Sequence, residues 1–520
     1  MSKLVSAEFA ASLVKDEMTL GMGGFVGFGT PEELLVALEK RYTETGEPKD
    51  LTVFHGAGVG DGATRGMNHM GHEGLIKRLV CAHVGLAPMV GKLCMENKIE
   101  CFILPQGVCS HILRATAGNK PGLITHVGLK TYADPRVEGC KGNEAARQSG
   151  HEVVQLLQLD GKDYMFYKSV PLDICFIRGT YADESGNVTM TKEALHGDQL
   201  EMAMATRNSG GIVVVQVEKM VQKGTLSVRD IKIPGFMVDY IVEAKPENHY
   251  QSFMDNDFHP EMVGDIYVPL SSIEPMPLNP RKICGRRGAM LLKKGAVVNL
   301  GIGVAEAIAA VASEEGCSDQ ITLSIESGVL GGVPTGGKGI GGTVNPEAMF
   351  KQPDCFDFYD GGGLDMAFLG LAEVDEKGNV NVSKFGGRMV GPGGFINITQ
   401  NAKVVGFCGT FTAGKMKCEI KDGKLNIIED APGIKFKKAV EQITYSGEYG
   451  AENGQMVYYI TERALFKLVP GGMELLEIAP GVDLQKDILD KMEFTPIMDD
   501  VKIMDEKIFT DTLMHLEINE

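Results

Sequence analysis

The chain has no tryptophan, no Cys-x-x-Cys pair and no uninterrupted apolar run approaching 18 residues. The last absence excludes a membrane-spanning helix. Without a Cys-x-x-Cys pair, the eleven cysteines, several of them inside apolar runs as at Cys175 and Cys408, read as reduced, buried thiols of a cytoplasmic protein. Positive charge is also short: 51 Lys and Arg stand against 69 Asp and Glu, a net charge of −18. That balance argues against general nucleic-acid binding, although a few local cations would still suffice for an anionic ligand. No G-x-S-x-G elbow, P-loop or helical H-E-x-x-H occurs. His69-Met-Gly-His72, followed by Glu73, is the one metal-like cluster. It lacks zinc-site spacing, so surface histidines and no metal are expected. The N-terminus, MSKLVSAEFAASLVKDE, reads as an amphipathic helix without a secretory apolar region.

What the chain has in quantity is glycine, 66 of its 520 residues, and the densest stretch is ITLSIESGVLGGVPTGGKGIGG, residues 321–342. Ile321 to Ile325 forms a β-branched apolar run, expected to be a buried strand. One carboxylate, Glu326, stands at its end. Eight glycines lie between Gly328 and Gly342 inclusive, with Lys338 the sole charge among them. Open α/β sheets place ligands beyond the carboxyl ends of their strands, and glycine lets backbone amides come close.

A repeat runs through the chain. MTLGMGGFVGFGTPEELLVALEK (18–40) and VVNLGIGVAEAIAAVASE (297–314) share a strand, glycine turn and helix, with Gly21 and Gly23 set over Gly301 and Gly303. LTVFHGAG (51–58) lies over ITLSIESG (321–328) at an offset of 270. LDICFIRGTYADESGNVTM from Leu172 lies over LDMAFLGLAEVDEKGNVNVS from Leu364 at an offset of 192, and VVVQV (213–217) recurs as VVGFC (404–408). Ordered blocks of this kind mean two similar α/β units. The fall in offset leaves 78 additional residues in the first unit, containing KIECFILPQGVCSHILRA (98–115). In this alignment Glu326 falls opposite Gly56 and Ile325 opposite His55. A carboxylate present in one unit only is not a requirement of the scaffold, which points to chemistry.

Prolines gather in 259–282, giving units of 1–270 and 281–520 with a linker at 271–280. Arg281, Lys282, Arg286 and Arg287 follow, either as a helix-start surface or as a cationic rim for a phosphorylated ligand. The final hundred residues are β-rich, with hairpin turns expected at Asp422-Gly423 and Gly471-Gly472. The glycine turns lack the spacing and the downstream acidic residue of an NAD site. His55, Gln106 and His111 are candidate cleft or core polar groups. VGPGGFINITQ (390–400) and Gly361–Gly363 are further glycine turns.

On these motifs the chain resembles a family I coenzyme A transferase, most closely the bacterial propionate/acetate type, over essentially its whole length. Gly23, Gly24, Phe25, Gly29 and Pro31 meet the family's N-terminal G-G-F-x-x-x-G-x-P motif. Glu326 meets the catalytic glutamate, Gln106-Gly107 the Gln-Gly pair, and Gly391 to Gly394 the oxyanion turn. The resemblance implies two similar three-layer α/β domains with mixed sheets, derived by duplication. It implies no prosthetic group: a coenzyme A thioester is substrate and covalent intermediate. The partners implied are acyl-CoA and small carboxylic acids, in a homo-oligomer (dimer or tetramer). Glu326 would attack the thioester, while Gln106 and the amides of Gly393 or Gly394 hold the oxyanion. Gly107, Gly24, Phe25 and Phe28 would line the substrate pocket, and the turns at Gly301, Gly303, Gly328, Gly331 and Gly391 would approach coenzyme A. Ser327 stands where ketoacid-type members carry Asn, which favours short-chain acyl groups. An acyl-CoA hydrolase and a 3-oxoacid transferase are the alternatives.

Overall fold

The computed structural model describes residues 3–269, 275–301 and 303–519. After a short N-terminal helix, Ala7–Ser12, the first half includes β1 (Thr19–Met22), α1 (Glu32–Thr45), β2 (Leu51–His55), β3 (Ile76–Cys81), β4 (Glu100–Ile103) and α2 (Gln106–Ala117). They are followed by β5 (Ile174–Arg178), α3 (Gln199–Asn208), β6 (Ile212–Val217) and β7 (Tyr240–Glu243). The seven strands pair in the order β7-β6-β5-β1-β2-β3-β4, all parallel. ICFIR in β5 is buried at every position, as expected of a parallel strand covered on both faces. α1 begins after Pro31 and ends at Gly46, whose φ of 73° supplies the left-handed turn that closes a helix.

The second half begins with α4 (Pro280–Ala289), β8 (Val297–Leu300), α5 (Glu306–Glu314), β9 (Thr322–Ser324), β10 (Val329–Leu330) and β11 (Ala348–Met349). It continues with α6 (Gln352–Asp360), β12 (Met366–Gly370), α7 (Phe395–Asn401), β13 (Val404–Cys408) and β14 (Met456–Ile460). Three C-terminal strands, β15 (Ala464–Val469), β16 (Gly472–Ile478) and β17 (Lys502–Ile503), complete a ten-stranded sheet. Its core, β9-β8-β12-β13-β14, is parallel, and antiparallel strands extend both edges, so this sheet is mixed.

The duplication is visible in the order β6-β5-β1-β2 against β13-β12-β8-β9. Register corrects one alignment. Leu20 pairs with Ile174, and Val298 with Met366; the Gly23 amide donates to Phe176 O at 3.0 Å and the Gly301 amide to Phe368 O at 2.7 Å. Gly301, not Gly303, is therefore the counterpart of Gly23, and Asn299 is the counterpart of Gly21. The β2/β9 alignment stands: Thr52 and Thr322 occupy equivalent ladder positions, keeping Gly56 opposite Glu326.

Residues 271–274 of the expected linker lie outside the described residues, and α4 starts at Pro280, inside the expected linker, capped by Asn279. Three of the four residues of the basic cluster at 281–287 are buried and form neither an open surface nor a cationic rim, whereas Arg281 is half-buried and pairs with Glu306. Arg286 donates to the carbonyls of Lys507, Ile508, Thr510 and Thr512, Arg287 pairs with Glu477, and Lys282 with Glu314. Both hairpins form: Lys421 lies opposite Lys424 across the expected Asp422-Gly423 turn, whereas Val469 lies opposite Gly472, so the second turns at Pro470-Gly471, one residue before the expected Gly471-Gly472. Ten cysteines are buried and all eleven are free. No described helix is long and apolar enough to cross a membrane, and no described residues form a metal-holding group. His69 and His72 are held by Glu32 and Glu39 instead.

Candidate active site

β9 and β10 form a tight hairpin whose tip is Glu326-Ser327-Gly328. The Ile325 amide donates to Val329 O at 2.9 Å, and the Gly328 amide to Ile325 O at 2.9 Å. Ser327 turns inward and donates to Gly341 O at 2.7 Å. Glu326 is thereby projected into a cavity of about 250 Å³ between the two halves. The first half contributes Phe25, Val26, His83 and Gln106 to its wall, and the second Gly301, Glu306, Glu326 and the loop 390–395.

Backbone bonds across the junction fix this geometry. Val390 O accepts from the Val84 and Gly85 amides, the Gly393 amide donates to Ala82 O, and the Gln106 amide donates to Gly393 O at 3.0 Å. A loop of the second half is thus sewn to the end of β3 and to the N-terminus of α2. The next amide of α2, that of Gly107, donates to Asn397 Oδ1 at 3.0 Å. The otherwise unpaired donors at that helix end are satisfied by the opposite half.

Burial pushes the Glu326 carboxyl above the ordinary carboxylate range, while its own backbone amide and then the nearby Asn299 amide work in the opposite direction. Beneath it lies a buried polar floor. Asn299 Nδ2 donates to Ser324 O at 3.0 Å and to Tyr359 OH at 3.2 Å, and Ser324 Oγ meets Tyr359 OH at 2.6 Å. Positions 299, 324 and 326 correspond to Gly21, Phe54 and Gly56 in the first half, so polarity here is confined to one copy. Glu306, the other carboxylate on the wall, is held by Arg281 at 2.5 Å. No cation pairs with Glu326 among the described residues.

Gly394 sits directly against the Glu326 side chain: a Cβ there would stand 3.1 Å from Glu326 Cγ. Its amide has no acceptor among the described residues, whereas those of Gly393 and Gly391 are committed to Ala82 O and Ser383 O. Of the two amides expected to hold an oxyanion, Gly394 is the available one.

The expected site residues separate clearly. Glu326, Gln106, Phe25, Gly301, Gly391, Gly393 and Gly394 line the cavity. Gly107, Gly24, Phe28, Gly303, Gly328 and Gly331 do not. Gly107 is pressed against Asn397 and Phe356, Gly24 against Thr30, and Gly331 against Glu347. Phe28 is fully buried beneath Gly342. Gly328 makes the hairpin turn at φ +103°, and Gly303 is exposed at the start of a short 3₁₀ turn. His55 and His111 are internally satisfied, by Ala57 O and by Asp357 with Pro353 O.

Sequence reasoning missed Asn299, which the correct register over Gly21 would have flagged. It also missed His83, whose ring faces the wall neutral, its basicity pushed down to about 4 by burial.

A family model described as coenzyme A transferase matches residues 4–244. The caffeate CoA-transferase of Acetobacterium woodii is 47% identical over 517 residues, covering 98% of both chains. The acetate CoA-transferase YdiF of Escherichia coli K12 is 43% identical over 522 residues, covering 99% of this chain and 97% of its own. The crystal structure of the YdiF acyl-CoA transferase apoenzyme from E. coli O157:H7 superposes with a TM-score of 0.95 at 42% identity, over 100% of this chain and 98% of that one. A thioester complex of the same enzyme with CoA superposes at 0.94. With two α/β halves closing on one glutamate, and with relatives of this similarity over nearly its full length, the chain belongs to the coenzyme A transferase family, as an enzyme close to the acetate CoA-transferases.

Proposed function

We propose that the protein moves coenzyme A from a short-chain acyl-CoA to a free carboxylic acid, with Glu326 as the covalent carrier. A Glu326 carboxylate oxygen attacks the thioester carbonyl; the C–S bond breaks, leaving an acyl-glutamyl anhydride and CoA thiolate. The thiolate attacks the glutamyl carbonyl, and the first acid leaves as its carboxylate. The glutamyl-CoA thioester so formed is attacked by the second acid, and the same steps in reverse yield the new acyl-CoA. No proton is gained or lost overall, so no general base is required.

The observation that carries this reading is the setting of Glu326: a carboxylate with no ion-pair partner among the described residues, lining a cavity between the halves, with Gly394, whose amide has no acceptor there, packed against its side chain. Burial raises its basicity and so strengthens a weak nucleophile. Each step passes through an oxyanion, and the Gly394 amide and Gln106 side chain are the donors available to it. Part of the binding energy of the coenzyme body is used at the reacting centre. The apolar wall of Ile325, Val390, Phe395 and Ile398 suits a short hydrocarbon acyl group.

Incubation with acyl-CoA and no acceptor, then borohydride reduction and peptide mapping, is expected to show the modification at Glu326. Glu326→Gln is expected to lose transfer by at least about 10³-fold with its melting temperature retained. An unmodified Glu326 peptide in the wild type, or substantial transfer by the variant, overturns the assignment. The caffeate-named relative makes a hydroxycinnamate the competing acid. Initial rates with acetate, propionate, butyrate and caffeate decide between them; a dominant kcat/KM for caffeate overturns the short-chain class.

A further inference from the structure

The two halves meet around a second, altered copy of the same arrangement. Gln106 is the first residue of α2, and its amide donates to Gly393 O at 3.0 Å. Gln352 is the first residue of α6, and its amide donates to Gly197 O at 3.4 Å. Gly393 and Gly197 share a left-handed φ, +54° and +55°. Each precedes the N-cap of the helix leading into β13 or β6: Gly394 for α7, Asp198 for α3. In the second half the strand end carries Glu326 and the N-cap is Gly394, where a Cβ would crowd the Glu326 side chain. In the first half the exchange is complete. The strand end is Gly56, the N-cap is Asp198, and a Cβ on Gly56 would collide with Asp198 Oδ2. The Asp198 carboxylate therefore fills, in the first half, the space that the Glu326 side chain enters in the second.

The two glutamines are joined. Gln106 Nε2 donates to Gln352 Oε1 at 3.2 Å, and Gln352 Nε2 donates to Asp198 Oδ2 and Ser110 Oγ, both at 2.8 Å. Ser110 Oγ donates to the same Asp198 oxygen at 3.1 Å. Gln106, Ser110, Asp198 and Gln352 are all buried, the most exposed being Asp198 at 7%. An ionised carboxylate only accepts. It therefore fixes the Gln352 amide with its NH₂ towards Asp198 and its carbonyl towards Gln106. The carbonyl in turn takes one Gln106 N–H, and the second N–H has no acceptor among the described residues. A primary amide is nearly symmetric in shape, so without such a chain Gln106 would present its carbonyl to the cavity as readily as its N–H.

We infer that Asp198 and Gln352 are positioning residues whose hydrogen-bond polarity holds Gln106 as a donor towards the reacting carbonyl. The relay rests on the proposed role of Gln106 at the oxyanion. Three variants and a control test it. Asp198→Asn lets Gln352 turn over, and Gln352→Glu sets two carboxylates face to face. Each is expected to lower kcat roughly 10- to 100-fold while KM for acyl-CoA changes less than about threefold. The double variant Asp198→Asn/Gln352→Glu keeps the net charge and the shapes. The amide introduced at position 198 donates to the carboxylate introduced at position 352, whose second oxygen again accepts from Gln106, so kcat is expected to return to within about threefold of wild type. Wild-type kcat in the single variants, or a double variant no better than the weaker single, overturns the relay. Gln106→Ala separates the two levels. If it retains wild-type kcat, the oxyanion role fails; if it loses activity while the swap restores nothing, only the relay fails.

Discussion

Glu326 and Asp198 are carboxylates held away from bulk water, and both ionise less readily than a free acid for that reason. Asp198 is pushed up to about 7, by burial first and by Glu201 second; Ser110, His111 and Arg114 pull it back. Lys351, the other cation at this junction, is bound to Glu201 at 2.5 Å. The relay needs the ionised form, so kcat is expected to fall as pH drops through about 7. In Asp198→Asn that limb should vanish from the residual activity, leaving the limb set by Glu326. Stability moves the other way. The folded value lies above the unfolded one of about 3.9, so the contribution of this group is present below about pH 4 and lost as pH rises through about 7. Urea unfolding of wild type and Asp198→Asn at pH 5 and pH 8 should show the difference moving in favour of the variant at pH 8. A constant difference would mean that Asp198 titrates normally.

At the scale of elements, the reacting group is presented by the β9–β10 hairpin, and Gly328 makes that hairpin possible. Its φ is +103°, and a Cβ there would collide with Phe350 O, whose own amide donates back to Gly328 O at 2.6 Å. Gly328→Ala is therefore expected to cost about 1–3 kcal/mol in backbone strain, with further loss from the clash. It should reduce kcat by moving Glu326 relative to Gly394; a melting curve and initial rates check both. The strand and its terminal carboxylate were readable from a β-branched run ending in Glu and Gly, and the Asp422-Gly423 hairpin from its turn residues, while the second C-terminal turn fell one residue early, at Pro470-Gly471. The first glycine turn was misaligned by two residues because such turns carry no hydrophobic period to fix register; only the ladder did so. The fate of Arg286 was equally hidden, since its acceptors are backbone carbonyls more than 200 residues away.

For the whole molecule, duplication was legible as ordered repeats, and the lone Glu326 as their asymmetry. The junction was not. It is built from backbone bonds at Val390, Gly393 and Gly197 and from amides at Gln106 and Gln352, none of which leaves a periodic mark in sequence. Each half has its own sheet and apolar cluster, but the cavity has walls from both. At the N-terminus of α2 the first two amides, of Gln106 and Gly107, are satisfied by Gly393 and Asn397 of the other half. Catalysis should therefore depend on the junction and not on continuity of the chain through 270–274. Two co-expressed fragments ending at Pro269 and starting at Pro275 are expected to associate and to transfer coenzyme A within about tenfold of the intact rate. Neither fragment alone should do so, and Gln106→Ala in the first fragment should lower the activity of the pair. Transfer by the second fragment alone would show that Glu326 works without the first half, and would remove Gln106 and the relay from the mechanism together.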